Sequence, residues 1–454
     1  MEFHAWAPLF YFPRRYLNLT TCVNNLHYEK FQDGTVKCIE NEIPFELPDG
    51  WSWARLRDIC MMSAGKSKST VQIKSEPFEG SYPCFGGNGV RGYVDEYNQD
   101  GIFSIVGRQG ALCGNINIAI GKFYATEHAV VTTLFDGIDF KWSNYILEAL
   151  RLNNYATGAA QPGLSVANIL NVFVPVPPTQ EQDRIGNSVY ESLKIIEALE
   201  QEKIDLQKNI ITAKTKILDL AICGKLVPQD PNDEPASVLL ERIRAEKEEL
   251  IKHGKIKRDK KESVIFKGDD NSYYGIHLPD SWNWASLREI ALSISDGSHN
   301  PPPNNGSGIP LLSAANINDN SILMNEISRW ITNEEWKIEN QRTNIEVGDV
   351  LLTIVGSIGR SAVVQNNNHF ALQRSVAVIK PCLINPLYLM HIVQSPQIQK
   401  WLTDNSKGTA QKGIYLNALS LMIIPIPPLA EQARIVELIH IAYKHLDLIS
   451  NALL

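Results

Sequence analysis

Apolar residues recur through residues 185–220 in alternating steps of four and three. From Ile185 the steps visit Val189, Ser192, Ile196, Leu199, Lys203, Leu206, Ile210, Ala213, Ile217 and Leu220, and nine of these 11 positions are apolar. Such a sustained 3.5-residue period predicts a long helix whose seam demands a second helix. The pattern returns at Ile435, Ile439, Ala442, Leu446, Ile449 and Leu453, all apolar. Each helix is the other's expected partner; the alternative is that each lies on its own domain. Just upstream, Val174–Pro178 (VPVPP) and Ile424–Pro428 (IPIPP) put proline at alternate positions, which keeps the chain extended and blocks helix. Thr179 then stands as a helix cap, with Glu181 complementing the dipole in the first turn.

These closings belong to a larger internal repeat. Phe45–Ile59 (FELPDGWSWARLRDI) returns as Ile276–Ile290 (IHLPDSWNWASLREI) at an offset of 231, and Gly158–Ile185 returns as Gly408–Ile435 at an offset of 250. Two tryptophans two residues apart, repeated with their neighbours, mark duplication of a globular domain too long for a solenoid repeat. Between these landmarks Val106-Gly107 is matched to Val355-Gly356, and Tyr124–Val131 to Phe370–Ala377. The expected organisation is an atypical segment 1–43, a first domain 44–178, a first seam helix 179–222 and a connector 223–274. A second domain 275–428 and a shorter seam helix 429–454 follow. The connector opens on a turn-rich stretch, Cys223–Pro235, and a short amphipathic helix from about Ala236 to His253. Lys252–Lys267 then holds seven Lys or Arg against two acids, the composition of a solvated linker. Residues 29–43 have no counterpart in the second unit, and Leu454 is equivalent to position 204 of the first helix.

Charge and composition narrow the function. The 454 residues carry a formal net charge of −7, with 44% hydrophobic and 20% charged residues. That excludes wholesale disorder and argues against a protein that coats nucleic acid over its whole surface. Seven scattered cysteines form no CxxC pair, so neither a zinc knuckle nor a disulfide framework is encoded. No stretch approaches the ~20 apolar residues of a membrane helix, and the apolar run Ala5–Phe12 has its arginines after it rather than before. A cytoplasmic protein with no metal and no cofactor is expected.

Catalytic signatures are scarce. There is no HExxH and no GxxxxGK[ST] phosphate loop. Cys84 sits in a glycine-marked loop without a partner base at a characteristic spacing. His299-Asn300-Pro301-Pro302-Pro303 approaches the Asn-Pro-Pro-aromatic signature of adenine methyltransferases, but its fourth residue is proline and cannot stack on a base. What both domains offer is polar, glycine-bearing loops. In the first, Lys66, Lys68, Asn88, Arg91, Arg108 and Gln109 are candidate DNA contacts; in the second, Ser298, His299, Asn316, Ser357, Arg360, Gln373 and Arg374. Gln161 and Gln411 hold matching positions before the closing strands and join the set. These are side chains that read base edges in the major groove, at about 1–3 kcal/mol per good bidentate contact.

The paired LPDGWSWARL and LPDSWNWASL openings, the DGSHNPP loop, the two proline closings followed by Glu-Gln, and Leu226–Lys247 together resemble the specificity subunit of type I restriction–modification systems. The resemblance runs from about Tyr28 to the C-terminus. It implies an α+β fold: two homologous mixed α/β target-recognition domains with pseudo-two-fold symmetry, separated by a long antiparallel two-helix coiled coil. Each domain would read one half of a bipartite site on double-stranded DNA. Methyltransferase subunits, typically two, and restriction/translocase subunits would supply adenine methylation and cleavage, leaving this chain non-catalytic. About 40 residues of helix at 1.5 Å rise span ~60 Å, enough to hold two heads more than one turn of DNA apart. A self-sufficient or fused methyltransferase and a coiled-coil protein scaffold are the alternatives.

Overall fold

The computed structural model describes residues 26–31, 33–158, 162–258, 272–408 and 412–453. The chain divides into two compact units, 1–200 and 201–454.

In the first unit the repeated opening pairs with the repeated closing. Strand Ser52–Arg55 runs antiparallel to Phe173–Val176, with Trp53 opposite Pro175. Proline donates no backbone hydrogen bond, and it is tolerated here because this is a two-stranded edge. Trp53 is buried against Phe45 and Phe173. Beyond this clasp lies a six-stranded sheet whose central strands, Gln99–Gly107 and Ile116–Ala125, form a long antiparallel hairpin. Strand Tyr82–Gly86 joins the sheet parallel to Ile116–Ala125. A hairpin of Tyr28–Lys30 and Val36–Cys38 adds Glu29, which ion-pairs with Arg55 and Arg57.

The second unit repeats the clasp. Asn283–Ser286 pairs with Ile423–Ile426, Trp284 opposite Pro425. Its sheets are smaller: a four-stranded one, and a three-stranded one in which Ile309–Leu312 and Ala371–Leu372 again pair in parallel. In both units the glutamine that follows the prolines ties the helix to its domain. Gln182 donates to Pro177 O and accepts from the Asp139 amide at 2.9 Å; Gln432 does the same with Pro427 O and the Asn385 amide. Asp139 and Asn385 in turn cap the helices Phe140–Ala149 and Pro386–Val393. The connector helix Ala236–Lys252 buries Leu239, Leu240 and Ile243 in the core of the second unit.

The long helix is Thr179–Ile222 and the closing helix is Leu429–Ala452. Within the second unit they lie antiparallel. The Tyr443 hydroxyl donates to Lys214 O, the Lys214 ammonium pairs with Asp447, and Leu218, Ala221 and Ile222 share a core with Ile435 and Ile439. Ile210 is buried, while Ile217, Leu220, Leu446 and Leu453 are half-buried. The seam does not extend as the periodicity predicts. Ile196, Leu199, Leu206 and Ile449 are 49%, 58%, 40% and 46% exposed. Ile185 and half-buried Val189 lie near the base of the helix, where Ile185 packs on the core of the first unit. The reason is length. A 24-residue antiparallel helix beginning near Ile222 spans about 36 Å, roughly the second half of a 44-residue partner. The alternative of helices lying on their own domains thus holds for Ile185, Ile435 and Ile439, and mutual pairing for the stretch around Ile210–Leu220. Among the described residues no helix is long and apolar enough to cross a membrane.

Candidate nucleic-acid interface

One edge of the first unit is built by loops that glycine allows to touch. A Cβ on Gly65 would lie 2.1 Å from Ala125 O, and one on Gly107 would lie 2.0 Å from Gly87 O. Such approaches exclude any side chain at these positions. Backbone bonds lock the cluster: Gly65 N donates to Ala129 O, Lys66 N to Ala125 O at 3.0 Å, and Arg108 N to His128 O at 2.9 Å. The strand ends therefore project Lys66, Asn88, Arg91, Arg108 and Gln109 together, and all five are exposed. Asn88 accepts from Asn115 Nδ2 at 2.9 Å. Among the described residues no hydrogen bond or ion pair engages the side chains of Lys66, Arg91, Arg108 or Gln109. A cleft of about 360 Å³ opens between Gly87, Asn88, Arg91, Gln109, Leu112 and His128. Three cations around a cleft with amide and imidazole groups can hold a phosphate backbone and offer donors and acceptors to base edges.

Lys68 is used otherwise. Its ammonium bonds Glu96 at 2.6 Å, lies 3.7 Å from Asp95 and sits over the Tyr124 ring, so its charge is neutralised within the domain. His128 is missing from the sequence-based set. It sits in the Thr126–His128 turn between two strands, and a lone histidine in such a turn gives no spacing signal. The Cys84 thiol is fully buried and pushed up by desolvation, as expected of a packing cysteine.

The second unit rebuilds this edge. A Cβ on Gly297 would lie 2.1 Å from Leu372 O; Gly297 N donates to Val376 O and Ser298 N to Leu372 O. These bonds correct the matching made from sequence. Thr126 N donates to Phe85 O as Gln373 N donates to Leu312 O, so Thr126-Glu127-His128 corresponds to Gln373-Arg374-Ser375, one residue from the sequence match. Likewise Leu164 N donates to Arg108 O and Ile414 N to Ile354 O, while Gly110 N reaches Pro162 O and Gly356 N reaches Lys412 O. Arg108-Gln109-Gly110 is thus equivalent to Ile354-Val355-Gly356, not displaced by three.

Of the predicted contacts here, Arg374, Ser357 and Arg360 are exposed and Gln373 is half-buried. His299 Nε2 lies 2.8 Å from Asp296, whose carboxylate also pairs with Arg342. Ser298 and Asn316 face inward. Ser298 is 7% exposed and donates to Glu339; Asn316 is 3% exposed, accepts from Ser313 N and donates to Glu326 O. Both hold the loops rather than present them. Gln161 and Gln411 lie outside the described residues. Among the described residues no group of His, Cys, Asp and Glu is arranged to hold a metal.

The fold and its paired loop edges define a duplicated recognition module. The family model for the type I restriction modification DNA specificity domain matches twice, over residues 48–214 and 279–453. The chain therefore belongs to that family. Relatives include the type I restriction enzyme EcoprrI specificity subunit of Escherichia coli, 42% identical over 31% of this chain and 38% of that one. The EcoEI specificity subunit of Escherichia coli is 24% identical over 93% of this chain and 83% of its own length. The HsdS subunit of Thermoanaerobacter tengcongensis shares the fold at a TM-score of 0.52 and 17% identity, covering 91% of this chain and 94% of that one. A second solved chain, from a type I R-M system, gives a TM-score of 0.53 at 18% identity, covering 90% and 94%.

Proposed function

We propose that this chain is the DNA-reading subunit of a type I restriction–modification assembly, with one half of an asymmetric bipartite site read at each loop edge. The observation that carries the reading is the pairing of identical backbone with unlike side chains. The same glycine-locked edge displays Arg108 and Gln109 in one unit and Ile354 and Val355 in the other. Like scaffolds with unlike faces suit two different half-sites. In this reading Lys66, Asn88, Arg91, Arg108, Gln109 and His128 serve the first half-site, and His299, Ser357, Arg360, Gln373 and Arg374 the second. The paired helices set the distance between them. The chain itself catalyses nothing and works in the cytoplasm with two methyltransferase subunits and with restriction subunits, which add phosphate contacts that an acidic chain lacks.

The test is to exchange residues 45–178 for the equivalent segment of another family member and map methylation in a host carrying the partner subunits. Half of the modified sequence changes and the other half stays. Change in both halves, or DNA methylation by the purified chain with S-adenosylmethionine alone, overturns the proposal.

A further inference from the structure

The connector of the second unit occupies a surface that has an uncovered counterpart in the first. In the second unit Trp282 is 2% exposed, and its indole N–H donates to Glu431 at 2.9 Å. Glu431 also accepts from Gln229 of the connector, and Arg434 pairs with Asp233. Ala236 N donates to Ser281 O, Arg244 pairs with buried Glu289 at 2.7 Å, and Leu239, Leu240 and Ile243 pack beside Cys382, which is 3% exposed. The residues at the same stations in the first unit are all present. Trp51 stands for Trp282, Glu181 for Glu431, Arg184 for Arg434 and Asp58 for Glu289. Phe135 stands for Cys382, since Phe135 N donates to Ile59 O as Cys382 N donates to Ile290 O.

Their environment is different. Trp51 and Glu181 are only half-buried, Asp58 and Arg184 are exposed, and Phe135 is 47% exposed. Among the described residues nothing pairs with the Glu181 carboxylate or the Arg184 guanidinium. The Tyr28–Cys38 hairpin does not fill this place, because its Glu29 engages Arg55 and Arg57 on the neighbouring side of the clasp.

We infer that this face of the first unit, Trp51, Phe135, Glu181 and Arg184, is a docking surface for a helix of another polypeptide with the chemistry of residues 226–252. That chemistry is a glutamine and an aspartate ahead of a Leu-Leu-x-x-Ile stripe flanked by basic residues. The aspartate meets Arg184, the glutamine meets Glu181, and the apolar stripe covers Trp51 and Phe135. Exposed aromatic surface beside an unpaired charge is the usual make-up of a helix-binding site.

A synthetic peptide of residues 226–252, titrated by calorimetry into the full chain, tests the inference. One saturable site is expected. Arg184→Asp weakens binding by about tenfold or more, as loss of a buried charge partner does. A peptide carrying Asp233→Arg restores binding to the Arg184→Asp chain, which distinguishes pairing from misfolding. Three outcomes overturn the inference. One is no saturable binding. Another is binding insensitive to Arg184→Asp but lost with Arg434→Asp, the sign of exchange with the chain's own connector. The third is binding that appears only after residues 1–25 are removed, which would make the chain's own N-terminus the occupant.

Discussion

Arg108 and Ile354 occupy the same backbone station: the carbonyl of each accepts a closing-loop amide, from Leu164 at 2.8 Å and from Ile414 at 2.9 Å. One presents an exposed guanidinium and the other a side chain only 3% exposed. The domains were copied with their hydrogen bonds intact and diverged at the positions that face outward. Replacing Arg108 and Gln109 together by alanine removes up to two recognition groups and disturbs no bond within the domain. DNA binding by the assembled complex is expected to weaken by about 1–3 kcal/mol per lost base contact. The loss falls on DNA bearing the correct first half-site and leaves discrimination at the second unchanged. Gel-shift titrations with each half-site scrambled in turn measure this, and equal loss on all sequences would reduce Arg108 to a phosphate contact.

His391 makes the second unit sensitive to acid. It is 7% exposed, lies edge-on to Tyr443 of the closing helix, and burial holds its pKa down at about 4, with His440 adding in the same direction. The folded chain thus keeps a neutral imidazole where the unfolded chain takes up a proton near pH 6.5. Stability from this residue is complete above pH 6.5 and is lost as the pH falls toward 4. At pH 5 the loss is about 2 kcal/mol relative to pH 7. His391→Gln removes that slope. Urea denaturation of the second unit at several pH values compares the two proteins.

The paired helices are held together only where they overlap. Ile210 is 6% exposed and Ile196 is 49% exposed, although both sit on the same predicted seam. Ile210→Ala is expected to destabilise the second unit by about 2–3 kcal/mol through loss of buried volume. Ile196→Ala should change the isolated chain by less than about 0.5 kcal/mol, as surface substitutions do. Thermal unfolding of both variants separates these cases, and comparable losses would mean that the seam is covered along its whole length.

These contrasts mark what was legible in the chain. The tryptophan openings and proline closings could be read because they are two halves of one clasp and were kept together. The seam could be read from its period, but the point at which it loses its partner depends on antiparallel register and relative helix length, which periodicity does not carry. The loop residues were harder. Asn316, Ser298 and Lys68 have the same donors and acceptors as a residue that reads DNA, and only the fold reveals that a cap, a buried serine bond and an acidic pair have claimed them. His128 was hidden for the opposite reason, since its neighbours across the cleft come from strands distant in sequence.

The close contacts that create the loop edge give the last prediction. Gly65 and Gly297 lie over carbonyls at a distance no Cβ occupies, and the contacting atoms are backbone of a central strand in one case and of a short parallel strand in the other. An alanine at either position cannot be relieved by a rotamer change and must push the strand end away. Gly65→Ala is expected to cost about 1–3 kcal/mol of stability, as overpacking does. It should also pull the Lys66 amide from Ala125 O, displacing Lys66 with the loop and weakening recognition of the first half-site. Gly297→Ala should act in the same way on the second half-site through Ser298. Gly80, whose Cβ would meet nothing within 4 Å, has a positive φ of 77° and supplies the contrasting control. Gly80→Ala is strained by its backbone alone and should lower stability without altering either half-site. Denaturation midpoints together with half-site binding of the assembled complex distinguish the two mechanisms. An alanine at Gly65 that leaves both measurements unchanged would show that the loop edge does not depend on this contact.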